Sequence, residues 1–84
     1  MKYIDLAIAD ARRAKWAEGA RIYGPVFQGE PAEQFDEEML DAANYSEEMI
    51  RQGYDASECE RAHALVVQAQ CIVRTLYQQR HGGR

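Results

Sequence analysis

No apolar run in this chain approaches the roughly 20 residues needed to span a bilayer, and no charged N-terminal segment leads into an apolar stretch of the secretory kind. Both absences make a soluble, cytoplasmic protein with no membrane partner the expectation. Cysteine is scarce as well. Cys59 and Cys71 lie in a segment that reads as one helix, where a rise of 1.5 Å per residue holds them about 18 Å apart. An intrachain disulfide is excluded at that distance, and with no CxxC or His/Cys pattern of zinc spacing both read as small packing residues. Basic charge is in deficit: 10 Lys and Arg against 14 Asp and Glu leave a formal charge of −4, so nucleic acid is not expected as a partner. An anionic ligand then requires a local basic patch or a metal. The glycines form no P-loop or dinucleotide fingerprint, and no internal repeat or low-complexity tract occurs.

What is present reads as one folded domain over residues 1–84. A 46% hydrophobic content with five Tyr, two Phe and one Trp is that of a folded chain, although 84 residues lie near the size at which a single core barely suffices. Ile4, Ala7, Ile8, Ala11, Ala14 and Ile22 share one helical face over about residues 3–23, with Glu18 inside the stripe, and Gly24-Pro25 closes that helix. Val26 and Phe27 sit in the connection that follows. Pro31 suits the first turn of a second helix over about residues 31–52, with Glu30, Glu33, Asp36 and Glu37 near the positive end of its dipole and Gly53 as its stop. Asp55 with Glu58, or Ser57 with Glu60, resembles a capping box that opens a third helix over about residues 56–80. In it Ala62, Leu65, Val66, Ala69, Ile72, Val73 and Leu76 recur at the spacing of a helix packed against others, and the tail 81–84 should fray. The expected fold is all-α, a small helical bundle of three main helices completed by oligomerisation, because this stripe exceeds what two neighbouring helices cover.

Chemistry concentrates on the second helix. Glu37, Glu38, Asp41, Asn44, Tyr45 and Glu48 fall within one arc of about 120°, opposite Phe35, Met39, Ala42, Ala43, Met49 and Ile50. Oxygen ligands one turn apart can share a hard cation such as Mg²⁺, which takes one or two carboxylates together with waters and substrate phosphates. The same pattern also describes a solvated acidic face. On the first helix Arg12, Arg13 and Lys15 surround Trp16, a combination that suits a phosphate and a stacked base, or simply ion pairs with neighbouring acids. Arg21 points to another side. His63 on a polar flank and His81 in the tail have no evident Ser, Cys or Asp partner for nucleophilic catalysis.

From Trp16 to Ile50 the chain, with Gly19-Ala20, Tyr23-Gly24 and Glu37-Glu38-Met39-Leu40-Asp41-Ala42-Ala43-Asn44-Tyr45, resembles phage and bacterial MazG-like proteins. In that all-α nucleotide pyrophosphohydrolase family an E-x-x-D helix supplies Mg²⁺ ligands, and Glu38 with Asp41 matches it, with Asn44 and Tyr45 as its D-x-x-N-Y continuation. The resemblance implies oligomerisation and Mg²⁺-dependent binding of a nucleotide or nucleotide-derived signal. As an enzyme, the chain would hydrolyse a nucleoside triphosphate to monophosphate and pyrophosphate. The ligand set that follows is Glu37, Glu38, Asp41 and Glu48 for the metal, and Arg12, Arg13, Lys15 and Arg21 for phosphates. Trp16, Asn44 and Tyr45 supply further contacts. The first helix offers no E-x-x-E pair of the family's kind, and this favours the alternative, a non-enzymatic phage-type accessory protein that binds a host protein or sequesters a nucleotide signal.

Overall fold

The computed structural model describes residues 3–82, and over them the chain is all-α: α1 (Ile8–Tyr23), α2 (Pro31–Arg51) and α3 (Ala56–Tyr77), the last running into a π-helical turn (Gln78–Gly82). Among the described residues there is no strand, and no helix is long and apolar enough to cross a membrane.

The helix ends follow from local chemistry. Pro31 occupies the first turn of α2, and the Glu30 carboxylate accepts from the Ala32 N–H at 2.7 Å, satisfying one of the donors a helix start leaves open. At the other end Gly53, at φ 98°, lets the chain reverse. Its N–H reaches the Ile50 carbonyl and the Tyr54 N–H the Met49 carbonyl, each at 3.0 Å. Of the two capping boxes suggested for α3, Asp55 is the one in place, accepting from the Glu58 N–H at 2.9 Å. The start of α1 differs from the expected Tyr3. Ala7 has no side chain to cap the helix, and the preceding turn folds back so that the Tyr3 hydroxyl donates to Glu18. A continuous helix would have carried these two about 22 Å apart. The tail is more ordered than expected, since His81 Nε2 meets Glu30 Oε1 at 2.9 Å; Gly83 and Arg84 lie outside the described residues.

The hairpin of α2 and α3 is the packed part of the molecule. Partners run in opposite directions along the two helices, Glu30 with His81, Glu33 with Tyr77, Asp36 with Arg74 and Ser46 with His63, so the pair is antiparallel. Its seam uses Ala32, Asp36, Met39, Ala43, Ser46 and Ile50 of α2 against Cys59, His63, Val66, Gln70, Val73 and Tyr77 of α3, all buried or half-buried at alternating steps of four and three. Among the described residues only Cys59, Ser46 and Gln70 are buried, so two of the three best-covered side chains are polar. The apolar stripe expected to pack on α3 is thereby divided. Val66 and Val73 turn towards α2, whereas Leu65, Ile72 and Leu76 face outwards. α1 stands apart: none of its residues comes within 8 Å, Cα to Cα, of α2 or α3, and the molecule spreads over 40 × 37 × 18 Å.

The central clasp is bidentate. Arg74 Nε donates to Asp36 Oδ1 at 2.6 Å and its terminal nitrogen to Oδ2 at 2.9 Å, while Gln70 Nε2 adds a third bond at 3.1 Å. The Arg74 hydrogen bond, followed by that of Gln70, holds the Asp36 carboxyl below its ordinary range despite the opposing effect of burial. A carboxyl lowered in the folded state stabilises the fold above its unfolded pKa of about 3.9 and stops doing so as pH falls through the folded value. Acid melts should therefore show the melting temperature of the wild type dropping below about pH 4, with Asp36→Asn melting lower at neutral pH and losing part of that acid dependence. Asp55→Ala tests the cap of α3. It should cost about 1 kcal/mol, or about 4–8 °C in a domain of this size, read by thermal circular dichroism.

Candidate functional site

A broad open concavity of about 1410 Å³ lies between α1, the loop that follows it and the first turns of α2. Arg12, Arg13, Lys15 and Trp16 line it from α1, Val26 and Phe27 from the loop, and Gln34 and Glu38 from α2. The grouping has a helical cause: Arg12, Arg13, Lys15 and Trp16 fall within about one turn of α1, and Gln34 and Glu38 are one turn apart on α2. Trp16 is 60% exposed, its indole open to solvent rather than packed in a core. Arg13 Nη1 pairs with Asp10 at 2.8 Å, Lys15 Nζ lies 5.7 Å from the Tyr3 ring centre, and Gln34 Nε2 donates to Glu38 Oε2 at 3.1 Å. Arg12 has no ion pair among the described residues.

The other residues singled out in the sequence lie elsewhere. Arg21 lines a separate hollow of about 270 Å³ with Tyr3, Leu6 and Glu18. Glu37, Asp41 and Asn44 are exposed on the side of α2 away from α3, with Tyr45 beside them. Asp41 follows Glu38 on the stripe bordering the concavity but is not part of its lining. Glu48 is engaged locally: Arg51 donates through Nε at 2.9 Å and through a terminal nitrogen, and Gln52 Nε2 donates at 2.8 Å. These bonds, Arg51 first, lower its carboxyl below the usual range. Among the described residues no three His, Cys, Asp or Glu side chains come together in a way that could hold a metal ion. The carboxylates of one chain thus fit Mg²⁺ only in the sparse manner of one or two ligands completed by waters and substrate phosphates.

No family model matches the chain, and neither a curated protein nor a solved structure matches it.

Pairing of the helices also brought together groups that the sequence reading kept apart. His63, expected on a polar flank without a partner, sits half-buried in the seam with its Nδ1 3.2 Å from Ser46 Oγ. That hydroxyl donates to the Ala43 carbonyl at 2.7 Å. With the Ser46 proton so committed, the imidazole acts as donor to Ser46 rather than as its base, and the pair is a packing contact rather than a nucleophile. At the open end of the hairpin Tyr77 donates to Glu33 at 2.7 Å, which raises the phenol's pKa, and the Ala32 N–H and then His81 lower the Glu30 carboxyl. The signal that finds these polar pairs is the seam spacing, which puts Asp36, Ser46, His63 and Gln70 at positions that apolar periodicity ignores.

Proposed function

We propose that the protein binds a nucleotide, or a nucleotide-derived signal, in the concavity beside α1, as a self-associating MazG-like helical protein. The observation that carries this reading is the convergence on one concavity of Arg12, Arg13, Lys15 and Trp16 with Glu38. Guanidinium groups take phosphate oxygens in paired, charge-assisted hydrogen bonds, and an exposed indole gives a base a face to stack on. Glu38 and Asp41, one turn apart, supply the one or two carboxylates that Mg²⁺ takes when phosphates and waters complete its shell. The metal would neutralise phosphate charge that the acidic α2 otherwise repels.

Binding rather than turnover is the form we favour. Hydrolysis of a triphosphate to monophosphate and pyrophosphate needs a positioned water and metal ligands that act together, and the described carboxylates of one chain do not converge. This supports the accessory reading, in which the protein sequesters a nucleotide signal or carries it to a host protein.

Trp16 is the only tryptophan, so its fluorescence reports the site directly. Nucleoside triphosphate with Mg²⁺ should quench it saturably and raise the melting temperature by several degrees at about a hundred times the dissociation constant. Arg12→Glu with Arg13→Glu should abolish both responses, and Glu38→Gln with Asp41→Asn should remove the part that depends on Mg²⁺. Free pyrophosphate accumulating over many turnovers, and abolished by a chelator, would decide for the hydrolase. Unchanged fluorescence and melting with every nucleotide tried would remove the ligand reading altogether.

A further inference from the structure

The concavity beside α1 is larger than its cationic end. It follows the length of α1, whose 16 residues measure about 24 Å, and its 1410 Å³ exceeds the roughly 300–1,000 Å³ of a small-molecule site. Arg12, Arg13 and Lys15 belong to the first half of the helix. Beyond them Gly19, Ala20 and Tyr23 line it from α1, and Val26 and Phe27 from the loop, five residues that offer a phosphate nothing. Tyr23, Val26 and Phe27 are 79%, 68% and 46% exposed. Among the described residues nothing beyond its own helix lies within 4 Å of where a Cβ on Gly19 would stand. Around the axis Gly19, Tyr23, Trp16 and Ala20 span about 100°, with Lys15 just outside one margin and Arg13 just outside the other. The result is a groove with small residues on its floor, aromatic rings standing from it and cations at its edges.

That shape suits a second helix laid along α1. Small floor residues let two helix axes approach to about 8–10 Å, and rings standing from the floor give apolar side chains something to seat against. Charge then selects the kind of helix. α1 carries four basic and two acidic side chains, whereas α2 carries seven acidic and one basic. Arg13 is offset by Asp10, but Arg12 has no ion pair among the described residues. Carboxylates are therefore drawn to the α1 side, while Glu38 across the concavity repels them and favours a Lys or a neutral residue there. α2, the acidic helix of this chain, spends its buried seam on α3 and has no residue packed on α1.

We infer that the concavity is a docking groove for an acidic amphipathic helix of a partner protein. Apolar residues of that helix at i, i+3, i+4 and i+7 seat against Tyr23, Val26 and Phe27, and its carboxylates meet Arg12 and Lys15. The inference rests on the accessory reading of the same concavity and names the partner's chemistry. Because Arg12 serves both, nucleotide and helix exclude one another, and binding of one releases the other.

The probe is a synthetic helix of about 16 residues, as long as α1, with Leu at that spacing, Glu towards one end, Lys along one flank and no Trp. Its controls are a scramble of the same composition and a version with every Glu replaced by Lys. Added to the full chain without nucleotide, the probe should shift Trp16 emission saturably to the blue and bind about tenfold more tightly than either control. Tyr23→Ala with Phe27→Ala should weaken it about tenfold while the helical spectrum and the quenching by nucleotide with Mg²⁺ stay unchanged. Arg12→Glu with Lys15→Glu should reject the acidic probe and accept the Lys version, a reversal that loss of structure does not produce. A probe no tighter than its scramble, one indifferent to the Tyr23 and Phe27 changes, or an unreversed preference overturns the inference even if nucleotide binds. So does probe binding that falls as the protein's own concentration rises, which would put a second copy in the groove. Probe and nucleotide held together by one chain also overturn it, since they share Arg12. A probe that binds as described while no nucleotide does sustains the inference and removes the ligand reading alone.

Discussion

The bidentate bond between Asp36 and Arg74, joined by Gln70, sets the register in which α2 meets α3, and the remainder of the structure depends on that register. With this clasp at the seam, the other seam positions follow at steps of three and four residues along the same side: Met39, Ser46 and Ile50 on α2, Cys59, His63, Val66 and Val73 on α3. A seam that admits Asp, Ser, His and Gln is less apolar than the stripe beside it. Polar groups that pair across a seam give it direction, since a shifted register would leave each of them without its partner at the cost of desolvation. The strongest apolar residues of α3 are thus free to work outside the hairpin, where Leu65, Ile72 and Leu76 lie exposed.

The position of α1 follows from the same arrangement. None of its residues is buried, and Ile8, Trp16, Ile22 and Tyr23 are all exposed, because no part of α1 packs on either helix of the hairpin. The glycines at both ends of the connection, Gly24 and Gly29, have positive φ, which lets the chain leave α1 and enter α2 without continuing either helix. Separation of α1 from α2 is what opens the concavity in which Arg12, Arg13, Lys15 and Trp16 stand across from Glu38. A basic cluster on an acidic chain is held apart from the bulk of the negative charge, which lies along the outer side of α2.

Most of the helical architecture was legible because it rests on local signals. Pro31 and Gly53 bracket α2, Asp55 starts α3, and Gly24 follows α1, each acting within a few residues of the chain. The start of α1 was not legible, since it depends on Tyr3 reaching Glu18, a contact fifteen positions away. The candidate site divides in the same way. That Arg12, Arg13, Lys15 and Trp16 share a turn follows from helical spacing, as does the row of carboxylates on α2. That Glu38 borders the concavity while Arg21 lines a different hollow is a matter of how elements sit in space.

By itself, then, the sequence determined that the chain is all-α, where its helices stop, and which residues share a face, because propensity, caps and periodicity act over one or two turns. Only the tertiary structure decided which face of α3 meets α2, that Asp36 would be the residue to bind Arg74, and that Ser46 would lie beside His63. Two stripes of α3 have the same spacing, and periodicity cannot choose between them. The structure takes the one in which hydrogen bonds between residues more than thirty positions apart, from Gln70 and Arg74 to Asp36, are satisfied across the seam.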